Sequence, residues 1–464
     1  MRGTWREIGD GFTTAYARSA WRLPLLVLGG ATLLFLPLYL LRGLRLVEIG
    51  LLGIVGLVGA GIGFVRPFFT LCLGLFVVFS GLARYLPGGG LVVGALLVVP
   101  AARALCDLLD GGRTELGTFE FGLALGTLFA AILTSLLVVQ NFQSAAQQGF
   151  LLGIGLLLYF TLSRLADAPQ RIVAVLVAVG AGLGVGTLVV LRGLFALRGL
   201  ELLSVTSEVR FGGLRGDPNV QAAYANCCIP SVVHALGRAR PWGRVALIVL
   251  LIVLVLTIVL SQSRAGMLLL ALLLLGLMLG QRRARGYTLL VAAALGLVAL
   301  ALPRVYWVRF ESMAQFRGIV VDRSLQLRQH ALEGGWQLFL DNPWFGVGLG
   351  NFPDHAPHFM FGGFMAHNSL LEVAASLGIV GGLAYVGLLV AGWRMARRAA
   401  KLWASVGRGS ERGLAGTLGL AIVVFALGAS SLSIPFYPIV WVLLGLANAA
   451  RRAAERDAAA SLPA

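Results

Sequence analysis

Apolar runs long enough to cross a bilayer, about 17–25 residues each, follow one another along almost the whole chain, separated by short polar turns. They fall at roughly 23–41, 46–65, 67–83, 89–107, 121–139, 149–166, 172–191, 220–237, 245–261, 264–280, 287–303, 368–392, 413–430 and 438–450. That predicts an all-α polytopic membrane protein of 14 spans, or 12 if the tight early hairpins and the short last run do not all cross. The one long polar interruption lies at 304–366. Within it, Asp322 to Leu340 carries an apolar stripe of Leu325, Leu327, Leu332, Trp336, Leu338 and Phe339 beside Arg323 and Arg328, which predicts an amphipathic helix. Asn342-Pro343 ends that helix. Gly346, Gly348 and Gly350 then make the backbone flexible or tightly turned, and Pro353 and Pro357 prolong the irregular stretch. Apolar sequence resumes at Leu370, just after His367-Asn368.

Composition sharpens this picture. Hydrophobic residues make up 58% of the 464 and charged ones only 12%, against about a quarter charged in soluble domains. The 62 glycines suit helices that approach closely through small residues. A net charge of +17 would suggest nucleic acid in a soluble protein; here it reports topology, and no nucleic-acid partner is expected. Positive clusters on short loops belong on the cytoplasmic side. Those clusters are Arg238/Arg240/Arg244, Arg282/Arg283/Arg285, Arg394/Arg397/Arg398/Lys401 and Arg451/Arg452. The apolar stretch between the first two is too long for one crossing and about right for two, so it forms a hairpin with Ser261-Gln262-Ser263-Arg264 at its outward apex. The same reasoning puts 192–219 and 304–366 outside and both termini inside. The first 22 residues, with Arg2, Arg6, Arg18 and Arg22 and no small-residue cleavage site, read as a retained cytoplasmic leader. With no linker or repeat, residues 1–464 read as one integral domain, and 304–366 as its large periplasmic loop. Cys72, Cys106, Cys227 and Cys228 lie in or beside apolar spans, which argues against a disulfide framework or a zinc site.

Arginine is costly at membrane depth, and its planar fork of donors suits phosphate oxygens. Three arginines face outward in distinctive contexts: Arg210 in RFGGLRGDPN, Arg264 in SQSRAG, and Arg328 on the loop helix. Each alone reads first as a topology or headgroup-snorkelling arginine. Together with His367 they form a set of cations and one titratable base, as proton-transfer chemistry beside an anionic ligand requires. His367 alone also reads as a helix anchor. Asp354, His355 and His358 raise a metal site, but Pro357 and the lack of a fitting carboxylate partner argue against it. The GVGLG run has no βαβ unit around it and is no dinucleotide fingerprint.

Four pieces stand in order: Arg210-x-x-Gly-x-x-x-Asp217-Pro218-Asn219, then Ser263-Arg264-Ala265-Gly266, then Arg328 upstream of Asn342-Pro343-x-x-Gly346-Val347-Gly348-x-Gly350-Asn351-Phe352, then His367-Asn368. This order resembles the O-antigen ligase and polymerase superfamily over about residues 205–392. The resemblance implies a metal-independent, inverting glycosyltransferase of the C-type membrane fold that needs no cofactor and acts on the periplasmic face of the bacterial inner membrane. Its donor would be a glycan on undecaprenyl pyrophosphate. Its acceptor would be lipid A–core in a ligase, or a second lipid-linked glycan in a polymerase. By that analogy Arg210 and Arg264 hold the pyrophosphate with help from Arg328, while Asn219 and Asn368 line the substrate site. His367 activates or orients the acceptor hydroxyl. Arg215 stands where an uncharged residue is usual and would substitute for, or assist, Arg210. Outward arginines that could meet a phosphorylated core favour the ligase over the polymerase. Protein O-glycosylating relatives often carry a further soluble C-terminal region, whereas 14 residues follow position 450 here. A lipid or glycan transporter is the reading from another class, and inverted repeats, which the sequence lacks, would favour it.

Overall fold

The computed structural model of the chain describes residues 61, 63–85, 89–110, 117–198, 212–280, 286, 323–355 and 365–461. The leader, the span at 23–41, most of that at 46–65, the span at 287–303, Arg210 and His358 lie outside the described residues. Among the described residues the chain is helical with no strand: α1 (Pro67–Ser80), α2 (Gly89–Leu109), α3 (Phe119–Ser135), α4 (Phe142–Leu165), α5 (Pro169–Arg198), α6 (Pro218–Leu236), α7 (Pro241–Leu260), α8 (Arg264–Gly280), α9 (Arg323–Asp341), α10 (Ser369–Ser405), α11 (Gly409–Ala429) and α12 (Pro438–Ala460). Six of these, α2, α4, α5, α7, α10 and α11, are long and apolar enough to cross a membrane, and α1, α3 and α8 are shorter apolar helices. The protein is an all-α, multi-pass membrane protein.

Local chemistry sets the helix starts. Pro occupies the first turn of α6, α7 and α12, where its missing N–H costs nothing and its fixed φ suits the helix. Thr118, Asn141, Asp217 and Asn368 cap α3, α4, α6 and α10 through their side chains, satisfying amides that would otherwise be orphaned. Capping explains where the sequence reading fell short. Helix α4 begins at Phe142 rather than near 149, because its first turns carry Gln143, Gln147 and Gln148, which an apolar window rejects but an Asn-capped helix accepts. Helix α10 runs on to Ser405 and α12 to Ala460. Both extensions are polar helix beyond the apolar run.

A single apolar core links α1 to α8 with α10 to α12. Helix α6 lies inside it, against α5, α7, α8 and α11, with Gln221, Asn226, Ser231 and His234 buried along its length. Successive spanning helices alternate in direction, so one end of the bundle collects the turns α3–α4, α7–α8 and α11–α12 with α9 and residues 342–355 and 365–368. The opposite end collects ion pairs: Arg171–Asp167 at 2.8 Å, Arg398–Glu455 at 3.0 Å and Arg451–Glu455 at 2.6 Å. Arg452 there donates to the Ser163 carbonyl at 3.0 Å. The basic clusters at Arg394 and Arg451 sit at that end, away from the loop.

Helix α9 has the predicted extent but two apolar faces. Ala331 and Leu338 are buried in a small second core with Val347, Phe352, Ala366 and Ala375. Leu332, Trp336 and Leu340, one turn apart, point outward, and exposed Trp344 and Phe345 extend that stripe.

Candidate active site at the loop end of the bundle

The glycine-rich run clasps helices. Gly346, Gly348 and Gly350 take φ of 66°, 100° and 74°, which L side chains rarely adopt. Helix α10 breaks at Gly378 (φ 70°, ψ −176°), so Ile379 cannot donate to Ala375 in the usual way. The loop fills the break. Val347 N–H donates to the Ala375 carbonyl at 3.0 Å, Gly348 N–H to the Ser376 carbonyl at 3.0 Å, and Ile379 N–H to the Pro343 carbonyl at 2.8 Å. Every backbone group exposed by the kink that these bonds reach is thereby paired. A Cβ on Gly378 would lie 2.0 Å from the Trp344 carbonyl oxygen, and one on Gly346 2.2 Å from the Ser376 carbonyl carbon. On its other side the loop grips the α3–α4 turn. Buried Asn351 accepts from Gln140 N–H at 3.0 Å and Asn141 N–H at 2.7 Å, and donates to the Asn141 carbonyl at 3.2 Å.

The two histidine-containing readings separate here. Asp354 accepts from the Asn141 amide side chain at 3.1 Å, and His355 Nδ1 lies 3.0 Å from the Asn351 carbonyl. Both serve the clasp. Among the described residues no group of three or more His, Cys, Asp or Glu side chains is placed to hold a metal ion.

His367 follows the clasp at the entry to α10. Its backbone is left-handed, with φ 51°, and its N–H donates to Ser433 Oγ at 2.9 Å. The α11–α12 link is pinned nearby: Ser369 Oγ donates to the Leu432 carbonyl at 2.6 Å and accepts from Ile434 N–H at 2.9 Å. Asn368 Oδ1 accepts from Leu370 and Leu371 N–H at 3.0 and 3.1 Å, so its side chain is spent on capping α10. Burial, and then the Arg328 guanidinium, hold the imidazole below its ordinary pKa, while the Asp217 carboxylate pulls it back up. Three elements far apart in sequence thus meet electrostatically at His367.

Asp217 ends a compact glycine knot. Gly213 and Gly216 take φ of 58° and 94° around a 3-10 turn, Gly213–Arg215. A Cβ on Gly213 would meet the Gln221 amide at 2.8 Å, and that amide donates to the Leu183 carbonyl of α5 at 3.3 Å. Asp217 Oδ1 caps α6 through Asn219 N–H at 2.8 Å and Val220 N–H at 3.2 Å. Asn219 therefore sits in the first turn of α6, facing the same end of the bundle.

Arg264 opens α8 at the apex of the α7–α8 hairpin. Gln262 takes φ 50° to make the turn. Ser263 Oγ caps the helix by accepting from Gly266 N–H at 3.2 Å, and Ser261 Oγ accepts from Ser263 N–H at 3.1 Å. Gly266 lets α8 meet α6: Asn226 donates to the Gly266 carbonyl at 3.0 Å, and a Cβ there would lie 2.7 Å from Ala222. Ser261, Gln262, Ser263 and Gly266 of SQSRAG are thus explained by the turn and its packing. The Arg264 side chain is partly buried, with its Nη1 shielded from solvent.

The structure therefore brings Asp217, Asn219, Arg264, Arg328, His367 and Asn368 to one end of the bundle. Of these, the charges of Arg328 and Asp217 act on the His367 imidazole. Arg215 is placed by its backbone in the 3-10 turn. Three further residues escaped the sequence reading. Arg84 follows α1, its Nη1 about 4.0 Å from the Cβ position of Gly216. Ser433 holds the His367 backbone. Glu372 is buried in the first turn of α10, with its Oε2 shielded from solvent. Only Glu372 carried a signal, being a carboxylate five residues after the histidine in an apolar run.

Residues 247–386 match the family model described as O-Antigen ligase. The matched segment contains Arg264, Arg328, the clasp and His367. Asp217 and Ser433 come from either side of it. A comparison with curated proteins gave no match.

Proposed function

We propose that the protein is a glycosyltransferase of the bacterial inner membrane whose active site is the loop end of the bundle, facing the periplasm. It moves a glycan from undecaprenyl pyrophosphate to a hydroxyl of lipid A–core, with inversion at the anomeric carbon and no metal. The observation that carries this reading is that His367, left-handed at the entry to α10, shares the loop end of the bundle with Arg264, Arg328 and Asp217.

A base for a sugar hydroxyl must be neutral at working pH and near the proton it removes. Burial and the Arg328 charge favour the neutral imidazole. In the step itself the acceptor oxygen forms a bond to the anomeric carbon and its proton passes to His367. The bond from that carbon to the phosphate oxygen breaks, and its electron pair leaves with the lipid pyrophosphate. Arg264 and Arg328, with Arg210 and Arg215 from the glycine-rich segment, hold that pyrophosphate and stabilise its growing charge. The segregation of basic clusters to the opposite end supports the sidedness.

The test uses purified protein with lipid-linked donor and lipid A–core, read as a gel shift, with donor binding measured in parallel. His367→Ala should abolish transfer and leave donor binding, and chelator should change nothing. Transfer by His367→Ala near the unmodified rate sinks the base role. A ladder of longer lipid-linked glycans, formed without lipid A–core, would make the protein a polymerase.

A further inference from the structure

We infer that the outward face of α9, with the turn that follows it, lies in the lipid surface of the bilayer, its side chains entering the boundary between headgroups and acyl chains. This placement goes beyond the reaction proposed above and does not depend on the role of His367. The helix has three sides rather than two. At about 3.6 residues per turn, Ala331, Gly335 and Leu338 share one side, and all three are buried. A Cβ on Gly335 would lie 3.1 Å from Leu371 Cδ2 and 3.2 Å from the Phe352 ring, so this side rests on the first turns of α10 and on the clasp. Leu332, Trp336 and Leu340, each four residues from the next, make a second side that is apolar and exposed. The Trp336 ring is braced there by Phe339, their centroids 5.5 Å apart. Glu333, Gln337 and Asp341 make a third side, exposed and polar, where His330 Nδ1 lies 3.5 Å from Glu333 Oε2. A helix surrounded by water has no use for the second side, and a helix sunk in the core would lack the third. Protein, lipid and water account for all three. Helices that lie in the interface turn Trp, Phe and Leu toward the acyl chains and polar residues toward water.

What covers the second side follows from where it leads. Trp344, 69% exposed, and Phe345, 51% exposed, carry it to the break in α10. There Ile379 N–H donates to the Pro343 carbonyl at 2.8 Å. Before the break, Val373, Ala375, Ser376 and Leu377 of α10 are buried. After it, Ile379, Val380, Leu383, Val386 and Val390 turn outward at the spacing of one helix face. Helix α10 is long and apolar enough to span the membrane, so this face meets acyl chains. The outer side of α9 therefore continues, across the kink, a surface that is already in lipid. Trp336 and Trp344 stand at its loop end, and aromatic side chains of membrane proteins gather at that level, apolar ring toward the chains and N–H toward the headgroups.

The experiment reads depth in full-length protein whose four natural cysteines have been replaced. Leu332→Cys, Trp336→Cys, Leu340→Cys and Trp344→Cys test the apolar side, Glu333→Cys, Gln337→Cys and Asp341→Cys the polar one, and Leu383→Cys serves as the lipid reference. Each variant is spin-labelled and reconstituted in vesicles of phosphatidylethanolamine and phosphatidylglycerol. Oxygen concentrates among acyl chains, whereas a nickel chelate stays in water. The logarithm of the ratio of the two collision rates should be positive on the apolar side, as at the reference, and negative on the polar side. Negative values on both sides would overturn the inference. Spin–spin broadening of the Trp336→Cys label that dilution with unlabelled protein removes would give the face to a second copy. Positive values that appear only when lipid A–core is added would give it to the acceptor. Either result overturns the inference as well. A second measurement keeps the face apolar and aromatic, so it does not put folding at risk. The emission removed by Trp336→Phe and Trp344→Phe together should be emission that brominated acyl chains quench in the protein without these two changes. Emission that bromination leaves intact would overturn the placement.

Discussion

Asn351 Oδ1 accepts the amide of Asn141 at 2.7 Å, although 210 residues separate the two. The same oxygen takes Gln140 N–H, and Asn351 Nδ2 answers to the Asn141 carbonyl. One fully buried side chain thus ties the segment before His367 to the start of α4. Asn351→Ala leaves two amides without their acceptor, at about 1–3 kcal/mol for a buried group left unsatisfied. The variant should melt several degrees lower in detergent, with transfer activity lost in step. An unchanged melting temperature would mean that the clasp is not what holds this end together.

The kink glycine gives a sharper contrast. Gly378→Ala must place a Cβ 2.0 Å from the Trp344 carbonyl oxygen at a φ of 70°, and the strain of such a backbone costs on the order of 1–3 kcal/mol before any clash is counted. This variant should express poorly or lose the clasp. Gly416 sits within α11 with open space around it, so Gly416→Ala should be neutral or stabilising by about 1 kcal/mol. Equal yields and equal melting temperatures for the two would contradict the geometry.

For Arg264 the informative substitution is lysine. An ammonium keeps the charge but not the planar fork. Arg264→Lys should insert normally and lose transfer about ten- to a hundredfold, the equivalent of one charge-assisted contact of roughly 1.5–3 kcal/mol. Full activity would reduce Arg264 to a topology signal.

The pH dependence follows from the charges around His367. The neutral imidazole is the working form, so activity is present above its pKa and falls as pH drops through it. Burial and Arg328 lower that pKa, which puts the acidic limb below the ordinary value of about 6.5. Removing the neighbouring cation in Arg328→Gln should shift the limb to higher pH. Asp217→Asn, which keeps a good helix cap, removes the anion and should shift it lower. Each profile is scaled to its own maximum, and limbs that move the same way would show that these charges do not act on the group that titrates.

Sidedness has its own check. Single cysteines at 210, 264, 328 and 367, in a background without the four natural ones, should react with an impermeant thiol reagent added from the periplasmic side. Reaction only after the membrane is opened would reverse the proposed orientation.

What the sequence disclosed was local. Asp217-Pro218, Ser263-Arg264 and Asn368 announce helix starts because a cap and its amides lie within three residues of one another, and the α9 pattern spans its own helix. The clasp was half legible: three glycines at alternate positions predicted tight turns, but nothing near them named Asn141 or the kink at Gly378 as their partners. Ser433 and Arg84 were silent, since a serine in a short link and an arginine after a helix fit any membrane protein. Their meaning comes from contacts made across 66 residues for Ser433 and from the packing of α1 against α5 and the glycine knot for Arg84.

The clasp also orders the birth of the molecule. Its parts lie near residues 140, 350 and 378, and the last to leave the ribosome is the broken helix itself. Until Ile379 emerges, the Pro343 carbonyl and the amides of Val347 and Gly348 lack the partners they have in the finished fold. The α3–α4 turn therefore waits, inserted but unsealed, through the synthesis of most of the chain. His367 reaches its final backbone conformation later still, when Ser433 arrives behind it. The last contact of the His367 backbone thus waits on α11 and the link that follows it.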